Sequence, residues 1–215
     1  MPADLTTPRT RQEQAAGTRA LILGAAIDCL VEHGYSGAST LAIQARAGVS
    51  RGRLLHHFPS RDELLVAAAQ HLADVTLAQV EKDMTAQLAD EPEGPRRTDR
   101  CIELIWDTLR ESHFWAAMEL WIAARTNPAL AAALRPHERG LGAVVRSVVD
   151  SVWGPTVRAH PQYPQLSELL LTSMRGVALV YGFEDRPAAT DPHLALWKSL
   201  AHRLLDDARP EGHAN

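Results

Sequence analysis

Cysteine, lysine and aromatic residues are all scarce in this 215-residue chain, and each shortage narrows what it can be. The two cysteines, Cys29 and Cys101, stand in stretches of helical periodicity and form no metal-type spacing. They read as small apolar core residues, which argues against a disulfide-stapled scaffold and suits a reducing cytoplasm. The longest apolar run, Gly176 to Phe183, falls far short of the roughly 20 residues that span a bilayer, so no membrane partner is expected. Met1 to Arg11 carries Pro2, Asp4, Pro8 and Arg9 but no apolar centre, and reads as an arm, not a signal peptide. His-Glu-x-x-His, Gly-x-Ser-x-Gly and a Walker loop are all missing, and Gly140-Leu141-Gly142 lacks its third glycine at Val145. No enzymatic activity, cofactor or metal is therefore expected. Lysine occurs only at Lys82 and Lys198, so nearly every cation is an arginine.

What remains is helical. No stretch alternates with period two and no Asn-Gly or Asp-Gly hairpin signal occurs, so the expected fold class is all-α. From Thr18 the apolar positions Ile22, Ala25, Ala26, Cys29 and Leu30 keep to one face, and Gly34 supplies a helix-ending residue. Ser39 and Thr40 are N-cap candidates for a short helix through Ala45; Gly48 breaks it and Ser50 caps the next. Pro59 interrupts, and a long amphipathic helix runs from Arg61 towards Leu88. After the loop Glu91-Pro92-Glu93-Gly94-Pro95-Arg96, helices are expected at about 98–112, 113–126, 128–152, 166–184 and 192–207. The resulting division is an arm over 1–17, a small helical unit over 18–60, a larger helical body over 61–208 and a tail over 209–215. Charge is uneven across it. The net charge is −4, yet the first 61 residues hold seven arginines against four acids, a surplus of three that leaves −7 elsewhere. A basic head on an acidic body suits a module that meets phosphate with one end.

The segment Ser39 to Phe58 has the shape of a helix-turn-helix, in which the second helix enters the major groove of DNA. In this reading Leu41, Ile43, Val49, Leu54 and Phe58 face inward, while Arg51, Arg53 and His56 face out. Gly48 allows the tight turn, and the bare Gly52 lets the helix approach the duplex closely. Arg53, near the start of that helix, suits a bidentate contact to guanine, whereas Arg61 beyond it is placed for phosphate. His56 and His57 point about 100° apart on a helix and so cannot share one metal ion in the usual way. One packing and one DNA-facing histidine is the better reading.

At Glu32-His33-Gly34-Tyr35, then Ala45-Arg46-Ala47-Gly48-Val49-Ser50, then Leu55-His56-His57-Phe58-Pro59-Ser60-Arg61-Asp62-Glu63-Leu64-Leu65, the sequence resembles the TetR family of transcriptional regulators. The resemblance covers roughly Thr18 to Val66. It implies a one-component regulator, most simply a repressor, that binds palindromic operator DNA as a homodimer and is released by a small-molecule effector. It also implies that Ser39, Thr40, Ser50, Arg51, Gly52, Arg53, Leu55, His56, His57 and Arg61 touch double-stranded DNA. Two positions depart from the family: it commonly has Thr where Arg53 stands and Tyr where Leu55 stands. The alternative is a helical ligand-binding protein with no role in gene regulation.

Trp106, His113, Phe114, Trp115, Met118, Trp121, Met174 and Tyr181 are candidates to line an effector pocket. Arg175, the one charge between Leu169 and Phe183, pairs with Glu103, Asp107 or Glu119, or awaits a ligand carboxylate. From the resemblance, the last two helices pack against their symmetry mates through residues such as Leu169, Leu170, Leu171, Val177, Leu194, Trp197 and Leu204.

Overall fold

Helical periodicity governs the computed structural model, which describes residues 10–183 and 191–206; the tail and most of the N-terminal arm lie outside them. Ten helices follow in order among the described residues: α1 Arg11–Gly37, α2 Thr40–Ala47, α3 Arg51–His57, α4 Arg61–Gln87, α5 Pro95–Thr108, α6 Ser112–Ala124, α7 Pro128–Trp153, α8 Pro155–Arg158, α9 Tyr163–Tyr181 and α10 Pro192–Asp206. The all-α expectation holds. Several features differ from the sequence reading: α5 spans Pro95–Thr108 where 98–112 was expected, and α9 Tyr163–Tyr181 where 166–184 was expected. Helix α1 starts at Arg11, not Thr18, because Thr10 and Glu13 form a capping box in which each side chain takes the other's backbone N–H. The short α8 begins with proline after Gly154 and was not anticipated.

Two compact units form, and the chain crosses between them more than once. The first contains Met1–Asp74 and Trp115–Glu138; the second contains Val75–Phe114 and Arg139–Asn215. In the first unit, Ile22, Leu23, Ala26 and Leu30 of α1 join Ile43 of α2, Leu54, Phe58, and Leu64, Leu65 and Ala68 of α4 in one apolar core. Ala116 and Leu120 of α6 and Leu130 and Leu134 of α7 complete it. Each fully buried Leu or Ile contributes about 1.5–3 kcal/mol, so these late helices are substantial parts of the head. Helix α1 is long and apolar enough over Gln12–Gly37 to cross a membrane by length and composition alone, a test that the core helix of a soluble protein also passes. Its apolar side chains from Ile22 to Leu30 are those of the core just described.

In the second unit, Arg97 closes the α4–α5 connection by donating to the carbonyls of Leu88 and Glu91, and it also reaches that of Val152. Helix α10 packs on α5 and α9. Lys198 pairs with Glu103 and His202 with Asp99 across the first of these contacts. Burial opposes ionisation of Glu103, yet hydrogen bonds from Lys198 and Arg100 prevail and hold its carboxyl below the usual range. Both cysteines are free and buried, and burial pushes the Cys101 thiol up to about 11.

Gly34 breaks α1 near its end with φ 64° and ψ −176°, a backbone conformation essentially reserved for glycine. Glu119 of α6 takes the freed N–H of Tyr35 at 2.9 Å, and a Cβ on Gly34 would stand 2.8 Å from that carboxylate oxygen. Gly34→Ala is therefore expected to destabilise the protein by about 1–3 kcal/mol or more, read as a shift in the urea midpoint. An unchanged midpoint would contradict this account of the turn.

Candidate nucleic-acid interface

Helices α2 and α3 are each too short to persist alone, and their ends are closed by local chemistry. Ser39 caps α2 by accepting from the Ala42 N–H at 3.1 Å. Gly48 ends α2 in the left-handed conformation, φ 64° and ψ 30°, and its N–H returns to Ala45 and Gln44. Ser50 then caps α3 by accepting from the Arg53 N–H at 3.3 Å. The hydroxyls of Ser39 and Ser50 thus hold the helix starts, and Thr40 opens α2 half-buried.

One stripe of α3 faces the core: Leu54 is 1% exposed and Phe58, just past its end, 4%. At 100° per residue, Gly52 and His56 lie almost opposite Leu54, with Arg53 and Leu55 on either shoulder. Arg51, Gly52, Arg53, Leu55 and His56 are all exposed, whereas His57 is half-buried with its ring 5.5 Å from that of His56. Burial, reinforced by His56, Arg19 and Arg53, lowers the pKa of His57. Leu41 departs from the sequence reading. It is 70% exposed while Ile43 is fully buried, since two residues along a helix turn about 200° and the pair cannot share a face. Val49 is half-buried against the core as expected.

Arg61 is held from within. Its guanidinium donates to the carbonyls of Ala38, at 2.9 Å, and Tyr35, and lies 4.1 Å from the centre of the Tyr35 ring. This clamps the end of α1 to the start of α4, a role the sequence did not disclose. Beside it, the Tyr35 hydroxyl donates to Asp62 at 2.8 Å and accepts from the Asn127 amide at 2.9 Å. The other side of the Asn127 amide caps α7 through the N–H groups of Ala129 and Leu130. Arg46 pairs at the surface, with both carboxylate oxygens of Glu32 at 2.7 and 2.8 Å.

The effector candidates fall in both units. Trp106, His113, Phe114, Met174, Arg175 and Tyr181 belong to the second, whereas Trp115, Met118 and Trp121 belong to the first. Trp106 is buried against Trp197 and Tyr181, at ring distances of 4.9 and 6.0 Å, and His193 adjoins both partners. Among the described residues the buried Trp106 indole nitrogen finds no hydrogen-bond partner. Met118 and Met174 are buried, as is Phe114, while Trp121 reaches the surface of its unit and donates to Glu138 at 2.8 Å. Of the acids considered for Arg175, Glu103 is engaged by Lys198 and Arg100, and Glu119 by Tyr35. A separate groove of about 400 Å³ on the second unit is lined by Ala143, Arg146, Ser147, Asp150, Ser151 and Arg158 and is polar, unlike an apolar effector pocket.

A capped pair of short helices around a left-handed glycine, with one stripe buried and an arginine-bearing face exposed, is the helix-turn-helix of a transcriptional regulator. Comparison with known proteins agrees. Residues 22–68 match the family model for bacterial regulatory proteins of the tetR family. The HTH-type transcriptional regulator CymR of Pseudomonas putida is 32% identical over 181 residues, spanning 80% of this chain and 82% of that protein. The HTH-type transcriptional repressor AcnR of Corynebacterium glutamicum is 29% identical over 136 residues, 62% of this chain and 65% of that one. Among solved structures, the multidrug binding protein EbrR complexed with imidazole superposes with a TM-score of 0.59 at 24% identity, over 87% of this chain and 94% of that one, a likeness of fold. The chain belongs to the TetR family of transcriptional regulators.

At Gly52 a folding role can be told apart from the expected binding one. Within the protein a Cβ there would meet nothing within 4 Å, so no internal contact requires glycine. Gly52→Ala is expected to raise stability by about 0.5–1 kcal/mol while weakening operator binding. Thermal melts and a DNA titration on the same preparation would check this; equal or tighter DNA binding would show that no duplex approaches Gly52. Arg61→Ala should instead lower stability first, by about 1–3 kcal/mol, because buried carbonyls lose their donors.

Proposed function

We propose that this regulator is a repressor that binds palindromic operator DNA as a homodimer and is released by a small-molecule effector. The observation that carries the reading is the exposed ridge of α3, with Gly52 and His56 at its crest and Arg53 beside them, held rigidly from behind by Leu54 and Phe58. The contact set proposed for DNA is Ser39, Thr40, Ser50, Arg51, Gly52, Arg53, Leu55, His56 and His57. Arg61 contributes chiefly by fixing α4 under the motif. The repressor role is supported by the named activity of AcnR. Cytoplasmic residence follows from a DNA-binding role.

Dimerisation is supported by unpartnered apolar residues on the last two long helices. Leu169, Leu179 and Val180 on α9 and Leu196 on α10 are exposed at 37–55%. The interface first read from sequence shifts accordingly. Leu170 and Trp197 are 1% and 2% exposed inside their own protomer, where Trp197 also donates to Ser173 at 3.0 Å. Val177, Leu194 and Leu204 are half-buried and remain at the edge of the proposed face. Replacing Leu179 and Leu196 by glutamate should yield a folded monomer by sedimentation with greatly weakened operator binding. A dimer that survives both charges overturns the assignment.

Effector control is supported by the orphaned Trp106 donor in its aromatic surroundings, where a ligand acceptor would relieve a cost of about 1–3 kcal/mol. The solved neighbour EbrR, a multidrug binding protein, was captured with proflavin and with ethidium. A drug-sized aromatic compound that quenches tryptophan fluorescence should lower operator affinity by about 1–3 kcal/mol, and operator DNA should weaken its binding equally. Quenching with no change in operator affinity would remove the sensing role and leave the DNA-binding one. Selection of bound duplexes from a random library tests the central claim: a palindromic consensus is expected. Arg53→Ala should relax one G·C position in each half-site at a cost of about 1–3 kcal/mol. A uniform loss of affinity would make Arg53 a phosphate contact.

A further inference from the structure

The arginines of the head sort into two kinds. Arg46 is locked to Glu32, and Arg61 to the carbonyls that end α1. Arg19, Arg51 and Arg53 have no acidic partner among the described residues, and all three are exposed. Arg51 and Arg53 stand at the start of α3. Arg19 belongs to α1, yet its guanidinium lies 5.2 Å from the centre of the Phe58 ring at the far end of α3. It also adds, with Arg53, to the positive field that disfavours protonation of His57.

The helix that carries Arg19 extends past the core. Among the described side chains of α1 the first buried one is Ile22, and the eleven residues from Arg11 to Leu21 continue the helix for about 16 Å at 1.5 Å per residue. Gln12 to Gly17 are exposed. Three turns of helix are marginal in water without packing, yet this stretch has a complete capping box. Its acid, Glu13, is committed to that box, where it accepts from the Thr10 N–H at 2.7 Å. The guanidinium of Arg19 thus sits over a buried aromatic ring yet stays exposed beside the recognition helix, with no acid among the described residues to neutralise it and a planar fork suited to phosphate oxygens.

Resting on the DNA-binding reading above, we infer that Arg19 grips the DNA phosphate backbone alongside the recognition helix, which makes the projecting start of α1 a second DNA-contacting element. The occupant is the phosphate chain, not a base edge, because Arg19 lies outside α3 and the surface it continues is the proposed interface itself. Arg19 adds affinity for any sequence and none of the discrimination.

The test is the salt dependence of binding to a fluorescent mixed-sequence duplex of roughly 40 base pairs between about 50 and 200 mM NaCl, where slope counts neutralised phosphates. Arg19→Met keeps a long unbranched side chain beside Phe58 and removes the charge; its slope should fall by about 0.9 per bound protomer, and Arg19→Lys should restore it. Circular dichroism melts on each variant establish that the head is folded. On the selected operator, Arg19→Met should weaken binding without altering the base preference at any position. An unchanged slope and affinity in a folded Arg19→Met protein overturns the inference, and so does a loss confined to one base position. A wild-type protein that binds neither duplex defeats the DNA-binding reading itself, a distinct result.

Discussion

A seven-residue helix has no stability of its own in water, and α3 exists as a rigid reading element only because its single buried stripe is held. Leu54 and Phe58 supply that hold. Truncating either would cost about 2–5 kcal/mol of packing, a large share of a domain's net stability. The caps from Ser39 and Ser50 and the left-handed turn at Gly48 then settle direction, and the side chains opposite Leu54 are left to present chemistry outward. Specificity in such a design depends on the back of the helix as much as on its front, since a ridge that rocks cannot discriminate between base pairs.

A second layer of order lies behind the first. Tyr35 bonds Asp62 and Asn127 through its hydroxyl, gives its N–H to Glu119, and places its ring and carbonyl against Arg61. Four elements thereby converge on one residue: the end of α1, the start of α4, α6, and the cap of α7. Polar groups so placed are costly if any one partner is lost, which makes the cluster a strong determinant of a unique arrangement.

Much of this was legible in the sequence where the signal is local. Ser39, Gly48 and Ser50 mark their turns because capping chemistry acts within four residues, and the buried positions Ile43, Leu54 and Phe58 follow from helical spacing. Leu41 was misread for the same reason that short helices are hard to orient: eight residues leave a face defined by one or two side chains. The start of α1 was readable as Thr10-x-x-Glu13, but without an apolar residue nearby the pattern looked like an arm. The role of Arg61 was illegible, because a sequence shows a cation and not the carbonyls that tertiary structure brings to it. The aromatic residues behaved likewise: periodicity places Trp106 and Trp197 on helices but says nothing of their meeting.

Because Ala116, Leu120, Leu130 and Leu134 belong to the core that supports the recognition helix, the head is not a contiguous cassette. A chimera joined at residue 60, or even at residue 74, would separate the reading helix from part of its own foundation. Exchange of operator preference between relatives therefore requires transplanting two stretches of chain together, or else changing only the exposed ridge of α3. Variation in this architecture has its easiest path through those few outward side chains, which can change without touching what does the holding.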